Sequence, residues 1–150
     1  MYLSYTGIRV TNIEKSLWFY TKLLGLEEVA RGDNSAIGGG IYILLRDKNS
    51  GQKLELNYYP EGSPYATKYF PGDGLDHISF RVNSVAETQE LLQKEGVEKV
   101  DLIPGLQEVQ TVQGDYSNFH VGYVRDPDGN WIEFYDHPQR VDYAKISSGY

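Results

Sequence analysis

The chain has 150 residues, a net charge of -7 and no cysteine. That length can bury one core or two fused half-domains, and the missing cysteine excludes disulfides, thiolate metal ligands and a cysteine nucleophile. The acidic balance, without a cluster of Lys and Arg, argues against nucleic acid as a partner. No stretch approaches the roughly 18 apolar residues of a membrane span, and the N-terminus does not resemble a signal peptide. We therefore predict a cytoplasmic protein with neither membrane nor nucleic acid as partner.

The first elements are a strand and a helix. Residues 5–10 alternate in a pattern typical of a half-buried strand. The capping box Thr11-x-x-Glu14 then predicts a helix start, and Gly25 predicts a left-handed helix end. Further strands are predicted near residues 27–30, 41–45 and 53–59.

The first part of the chain is repeated in its second part. The segment 77–82 repeats 5–10 at a distance of 72 residues, and Ile132-Glu133 repeats Leu54-Glu55 at a distance of 78. Repeats this short are expected to bury their apolar faces against one another, which leaves room for a shared cleft. We predict a first module at 1–60, a linker at 61–74, a second module at 75–138 and a polar tail at 139–150.

The second repeat has a helix of its own, with the capping box Ser84-x-x-Glu87 and an end at Gly96. Its strands are predicted at residues 97–102, 121–125 and 131–135. Residues 126–129, Asp-Pro-Asp-Gly, suit a tight hairpin turn with no catalytic role. Residues 104–118 are predicted to be an extra loop.

Strand alternation predicts that the carboxylates of Glu55 and Glu133 lie on the strand face opposite to their apolar neighbours. Glu55 shares a face with Asn57, and Glu133 shares one with Trp131, while the apolar neighbours of both carboxylates are expected to pack beneath the helices. A lone histidine such as His77 is more often structural than a ligand. Two inward carboxylates placed by the repeat favour a ligand role for it.

The segments 75–82 (Leu-Asp-His-Ile-Ser-Phe-Arg-Val) and 123–133 (Tyr-Val-Arg-Asp-Pro-Asp-Gly-Asn-Trp-Ile-Glu) carry a family resemblance. Over about residues 3 to 138 the chain resembles the vicinal oxygen chelate superfamily, which includes glyoxalase I, extradiol dioxygenases and bleomycin- or fosfomycin-resistance proteins. The resemblance implies an α+β fold of tandem βαβββ repeats, with mixed sheets curled around a central cleft. It also implies that the protein forms a homodimer and acts on a small molecule.

The resemblance further implies a metal site on the first and last strands of each half. Its four ligand positions fall on Tyr5, Glu55, His77 and Glu133. Tyr5 is a departure, because a neutral phenol is a poor ligand. The expected set is therefore Glu55, His77 and Glu133 around one divalent ion of Zn, Ni, Co, Mn or Fe.

The implied activity is that of a glyoxalase I-like lyase or isomerase, which moves a proton between adjacent carbons of a substrate with vicinal oxygens. Glu133 is the expected base and Glu55 the expected second ligand and catalytic partner. The expected substrate-binding residues are Arg9, Tyr5, Asn57 and Tyr123.

Several alternatives stay open. Arg9 matches a glutathione-binding arginine of glyoxalase I, but Tyr59 and Asp73 replace its partners, so glutathione is not a required substrate. A metal-free binding protein like the bleomycin-resistance branch is one alternative, and an Fe(II) extradiol-type dioxygenase is another. Arg9 and Arg81 suit either anion binding or pairing with acidic neighbours. His120 is predicted to be structural or a pocket-wall residue.

Overall fold

The computed structural model describes residues 3–33, 39–72, 74–100, 110–113 and 118–136. The chain divides into two compact units. The first unit runs to Asp76 and also takes the turn Asp126–Asn130, and the second unit takes the other described residues from His77 onward. The predicted linker 61–74 therefore lies within the first unit.

The first unit is a βαβββ module. Its elements are β1 (Thr6–Val10), α1 (Ile13–Trp18), a π-helical turn that continues α1 (Phe19–Leu23), β2 (Glu27–Asp33), β3 (Ile41–Arg46) and β4 (Lys53–Tyr58). The four strands form a sheet ordered β1-β4-β3-β2, with β1 parallel to β4 and the other pairs antiparallel.

The second unit repeats the module with one added strand. Its elements are β5 (His77–Arg81), α2 (Val85–Lys94), β6 (Lys99–Val100), β7 (Gln110–Gln113), β8 (Asn118–Arg125) and β9 (Trp131–Tyr135). The sheet is ordered β5-β9-β8-β6, with β5 parallel to β9 and with β7 also paired to β8. The α+β class with two βαβββ modules is confirmed.

The alternation predicted for the last strand of each module is also correct. Leu54 and Leu56 on β4 are buried, as are Ile132 and Phe134 on β9. Helix α1 packs against β4, and α2 packs against β8 and β9, so each helix covers the apolar face of its own sheet. The carboxylates between these apolar residues therefore lie on the opposite face.

The first helix cap differs from the prediction. Asn12, and not Thr11, is the N-cap, because the Asn12 side chain accepts a hydrogen bond from the backbone N–H of Lys15. Thr11 is engaged elsewhere, since its N–H and its hydroxyl both donate to Asp128 Oδ1 at 2.6 Å. The second cap is as predicted, with Ser84 accepting from the N–H of Glu87.

The glycines predicted to end the two helices have the expected backbone. Gly25 and Gly96 have φ values of 76° and 83°, in the left-handed region that glycine adopts without a Cβ clash. The predicted extra loop at 104–118 is wrong in part, because Gln110–Gln113 forms β7 and pairs with β8. The tail at 139–150 lies outside the described residues.

The Asp-Pro-Asp-Gly turn joins β8 to β9 as predicted, and it contains a buried acceptor that the sequence pattern did not reveal. Asp126 accepts from the Tyr20 hydroxyl at 2.7 Å, from the N–H and the side-chain amide of Asn130 at 2.8 Å each, and from the N–H of Asp128 at 2.9 Å. Burial, and then the adjacent Asp126 carboxylate, raise the pKa of Tyr20 far above its ordinary range. The phenol is therefore a fixed donor.

None of the helices in the described part of the chain is long and apolar enough to cross a bilayer.

Candidate active site

One polar cluster of the second unit is centred on Glu133 of β9. Strand register places Ser79 of β5 on one side of Glu133 and Tyr123 of β8 on the other. The Ser79 hydroxyl donates to Oε1 of Glu133 at 2.6 Å, and the Tyr123 hydroxyl donates to Oε2. Each carboxylate oxygen is thus held by a hydroxyl from a different strand. We refer to Ser79, Tyr123, Glu133 and His77 as the β9 cluster.

His77 completes the β9 cluster at the start of β5. Its Nε2 lies 3.8 Å from Oε2 of Glu133, and the side chains of His77 and Glu133 are 35% and 18% exposed. The His77 and Tyr123 rings are perpendicular, with centroids 6.1 Å apart, and the Tyr123 and Trp131 rings form a similar T-shaped pair at 5.6 Å. The imidazole nitrogen and the carboxylate oxygen therefore lie close together on a partly exposed face, beside the rings of Tyr123 and Trp131.

The counterpart carboxylate, Glu55 of β4, has different neighbours in the first unit. Gly7 of β1 and Leu44 of β3 are its register partners, in the places that Ser79 and Tyr123 take beside Glu133. Asn57 donates to Oε1 of Glu55 at 3.1 Å. Glycine suits this position, because a Cβ at Gly7 would lie 3.2 Å from the Asn57 amide nitrogen.

Arg9 and Tyr5 belong to the same strand region as Gly7. Tyr5 directly precedes β1 and is 45% exposed. The Arg9 guanidinium donates to the Thr67 hydroxyl at 2.6 Å and lies over the Tyr59 ring, 5.4 Å from its centroid. Within the residues that the structure describes, no carboxylate forms an ion pair with Arg9, so of its two open alternatives, pairing with acidic neighbours is not observed there.

Three of the predicted site residues, His77, Glu133 and Tyr123, lie together in the second unit. The other four, Tyr5, Arg9, Glu55 and Asn57, lie in the first unit. Across the described ranges no set of three or more His, Asp or Glu side chains is close enough to hold a metal ion. The imidazole nitrogen and carboxylate oxygen of the β9 cluster are nevertheless ligand types that divalent transition metals accept, so these two residues fit part of a metal site.

Ser79 is a site residue that the sequence analysis did not single out. A signal for it was present, because Ser79 follows His77 by two positions and therefore shares its strand face. Its importance depends on the parallel pairing of β5 with β9, which sets Ser79 directly opposite Glu133. Alternation within one strand cannot supply that register.

A second polar pair lies at the other end of β8 and β9. Nδ1 of His120 is 3.0 Å from Oδ2 of Asp136, and Asp136 also accepts from the backbone N–H groups of His120 and Val85. Burial raises the pKa of Asp136, but these backbone hydrogen bonds and the His120 ring outweigh it and leave the pKa below its ordinary value. His120 is thus a structural partner of Asp136, in agreement with the first of its two predicted roles.

The tandem βαβββ modules and the polar face of β9 define the class to which the chain belongs. A family model described as the Glyoxalase/Bleomycin resistance protein/Dioxygenase superfamily matches residues 2–134. The chain is a member of this superfamily.

Known relatives agree with that membership. A probable lactoylglutathione lyase of Vibrio parahaemolyticus is 26% identical over 136 residues, which are 90% of each chain. The trypanothione-dependent glyoxalase I of Leishmania major has a similar fold, with a TM-score of 0.67, 23% identity and coverage of 98% of this chain and 94% of that one. A fosfomycin resistance protein of Listeria monocytogenes, solved with Mn(II) and sulfate, has a TM-score of 0.60 at 17% identity, with coverage of 90% and 91%.

Proposed function

We propose that the protein is a divalent-metal-dependent, glyoxalase I-like lyase or isomerase. The observation that carries the proposal is the β9 cluster, in which Glu133 is held by two hydroxyls with the His77 imidazole 3.8 Å away. The carboxylate and the imidazole are both ligand types that divalent transition metals accept. Superfamily membership and relatives named as lactoylglutathione lyases support the same activity.

His77 and Glu133 are the proposed ligands in the second unit, and Glu55 is the proposed ligand from the first. A bound divalent ion would supply Lewis-acid stabilisation of the negative charge that develops on neighbouring substrate oxygens. The protein's own contribution is to position these three side chains and to move a proton between adjacent substrate carbons through a carboxylate.

The substrate is proposed to be a small vicinal-oxygen compound, including thiol adducts of 2-oxoaldehydes, and not glutathione adducts alone. Arg9 is a suitable anion contact, because Thr67 and the Tyr59 ring fix one side of its guanidinium. Tyr5, Asn57 and Tyr123 are the other proposed substrate contacts. Arg9 lies over an aromatic ring, which favours a ligand with an apolar part beside its charge.

The test begins with metal-stripped protein, reloaded with Zn, Ni, Co, Mn or Fe(II) in separate samples. Each sample is incubated in D₂O with 2-oxoaldehyde adducts of several thiols, and the product is examined by proton NMR. We expect conversion to the 2-hydroxyacyl thioester with deuterium partly incorporated at the carbon that receives the proton, and only in reloaded samples. Metal-independent turnover, or uptake of no metal by the wild-type chain, would contradict the proposal.

A second function, metal-free ligand binding, is favoured by one observation. Tyr5 occupies the position in the first repeat that His77 occupies in the second, and a neutral phenol is a poor metal ligand. A chain that takes up no metal but binds a small aromatic or cationic ligand in calorimetric titration would establish this function.

Oxygen consumption with a catechol in the Fe(II)-loaded sample would instead establish a dioxygenase.

The quaternary structure is proposed to be a homodimer, and the location cytoplasmic. Light scattering coupled to size-exclusion chromatography tests the first proposal, with a mass near 34 kDa expected from two chains of 17.0 kDa.

A further inference from the structure

Residues 59–72 of the first unit follow β4 without forming a helix or a strand, and we refer to them as the strap. The described backbone hydrogen bonds inside the strap are those of two turns. The N–H of Ser63 donates to the carbonyl of Pro60 at 3.1 Å, and the N–H of Ala66 donates to the carbonyl of Ser63 at 3.0 Å. Most strap residues are exposed. A segment with so little burial opens at a low cost in free energy, so its position depends on its side-chain contacts.

The C-terminal end of the strap has a buried contact. The Tyr69 hydroxyl donates to Oδ1 of Asn130, which is 3% exposed and whose amide is bound to Asp126. Pro71 lies close to Gly129, because a Cβ built on that glycine would be 3.2 Å from Pro71 Cγ. Breaking a hydrogen bond to a buried acceptor leaves that acceptor without a partner, which is costly. We therefore expect this end of the strap to stay attached.

The middle of the strap is held by an exposed contact with β1. Nη1 of Arg9 donates to the Thr67 hydroxyl at 2.6 Å and to the Thr67 carbonyl at 3.4 Å. The guanidinium also lies over the Tyr59 ring, whose centroid is 5.5 Å from that of the Tyr65 ring. Thr67 is exposed, so water can replace its bond to Arg9. This contact can open while the buried contact of Tyr69 holds.

Arg9 can bind an anion without releasing the strap. A guanidinium has several N–H donors in a planar fork, and the described residues supply hydrogen-bond partners for those of Nη1 only. A carboxylate takes two neighbouring donors of the fork, and such charge-assisted hydrogen bonds are about twice as strong as neutral ones. The edge formed by Nε and Nη2 can therefore receive a carboxylate while Nη1 keeps its bond to Thr67.

From these contacts, and resting on the proposed role of Arg9 as an anion contact, we propose that the strap is a cover whose closure is coupled to carboxylate binding at Arg9. Thr67 and Tyr59 are positioning residues that hold the guanidinium in one orientation. Carboxylate binding to the held guanidinium stabilises the closed strap, and closure favours carboxylate binding by the same factor. Arg9 is the register partner of Asn57, so the strap is attached to the sheet face that carries Glu55.

Trypsin cleavage after Lys68 measures opening of the strap, because Lys68 lies between the contacts of Thr67 and Tyr69. The whole chain is digested with benzoate or with its neutral analogue benzamide, and the fragments are followed by mass spectrometry. The dissociation constant of benzoate is first measured by NMR titration. Benzoate at about ten times that constant should slow the cleavage about tenfold if it binds the closed strap alone, and benzamide should have no effect. Cleavage after Lys48, in the turn between β3 and β4, is the internal control and should not change.

Thr67→Val tests the coupling, because it removes the hydroxyl and keeps the shape of the side chain. We expect cleavage after Lys68 to become about 2- to 10-fold faster, the usual effect of losing one hydrogen bond. Benzoate should no longer slow the cleavage, since Arg9 has lost its link to the strap. A merely structural role for Thr67 would leave the protection by benzoate intact. Thr67→Ser keeps the hydroxyl and should restore both the slow cleavage and the protection.

Thr21→Val is the matched control. It also removes a threonine hydroxyl from the first unit, but that hydroxyl donates to the Leu17 carbonyl within the helical segment. Cleavage after Lys68 and its response to benzoate should equal those of the wild type. Arg9→Gln should bind benzoate no longer and show no protection. Circular dichroism of every variant checks that the fold is kept.

The outcomes separate the coupling from the proposed function. If benzoate binds the wild type and leaves cleavage after Lys68 unchanged or makes it faster, the coupling alone is overturned. If benzoate does not bind, or binds Arg9→Gln equally well, the role of Arg9 as an anion contact is overturned and the coupling with it. The metal-dependent activity is decided by the turnover assay, which does not depend on cleavage of the strap.

Discussion

The buried hydroxyl of Tyr20 donates to Oδ2 of Asp126 at 2.7 Å, across 106 residues of sequence. Tyr20 lies in the π-helical turn that continues α1, and Asp126 opens the turn between β8 and β9. Neither side chain is accessible enough to exchange this bond for one to water. The interaction is therefore worth more than an ordinary surface hydrogen bond, and its removal should be measurable.

We predict that Tyr20→Phe lowers the free energy of unfolding by about 1–3 kcal/mol, because Asp126 loses one of its buried donors while the ring volume is conserved. Urea denaturation followed by circular dichroism measures the change. Tyr65→Phe is the control, since Tyr65 is 46% exposed and its loss of a hydroxyl should change stability by less than about 0.5 kcal/mol. Equal stability of both variants would contradict the prediction.

The first helix cap provides a second prediction. Replacing Asn12 with Ala removes the side-chain acceptor for the Lys15 N–H and should cost about 1 kcal/mol, whereas Asn12→Gly should cost only a few tenths. Thermal or urea unfolding distinguishes the two variants. If Asn12→Ala matches the wild type, the cap at Asn12 makes no net contribution.

The close approach of α2 to β8 provides a third prediction. A Cβ at Gly122 would lie 2.5 Å from the Gln89 side-chain nitrogen and 2.7 Å from Val85 Cγ1, so Gly122→Ala forces these side chains of α2 to shift. We expect a loss of about 1–3 kcal/mol in the free energy of unfolding. Gly74→Ala is the control, because nothing lies within 4 Å of a Cβ there.

A double-mutant cycle identifies the cause of that loss. Val85→Ala removes the Cγ1 atom nearest the new methyl group, so Gly122→Ala should cost less in the Val85→Ala background than in the wild type. Strict additivity of the two changes would show that contact with Val85 is not responsible.

Asp136 gives a fourth prediction, which concerns pH. Its folded-state pKa lies below its unfolded value, so its ionised form stabilises the fold above the unfolded pKa of about 3.9. That stabilisation is lost as the pH falls through the lower, folded-state pKa. The stability difference between wild type and Asp136→Asn should therefore be full near neutral pH and decrease below about pH 4. A pH-independent difference would contradict the assigned cause.

Local pattern was sufficient to predict the strands that carry the site. The bounds of β9 match the predicted 131–135, and the burial of Ile132 and Phe134 follows from alternation in one strand. The repeat was equally informative, because corresponding residues occupy corresponding register positions, with Thr6 opposite Leu54 and Ile78 opposite Ile132.

Interactions between distant segments could not be predicted in this way. The sequence around Thr11 matches a capping box. The N–H and the hydroxyl of Thr11 nevertheless both donate to Asp128, and Asn12 is the N-cap. Ser79 likewise gains its role only through strand pairing with β9. In both cases, the deciding partner is contributed by a turn or strand encoded far along the chain, which no local window contains.

The assignment of the turn Asp126–Asn130 to the first unit bears on how the chain can be divided. A fragment ending at Asp76 would contain a complete copy of the repeated sequence but would lack the acceptor for the Tyr20 hydroxyl and the acceptor at Asp128 for the Ser16 hydroxyl. The buried Tyr20 hydroxyl would then lose its acceptor, and the Ser16 hydroxyl would keep only the carbonyl of Asn12. We therefore expect the duplicated stretch on its own to be less stable than the same stretch within the whole chain.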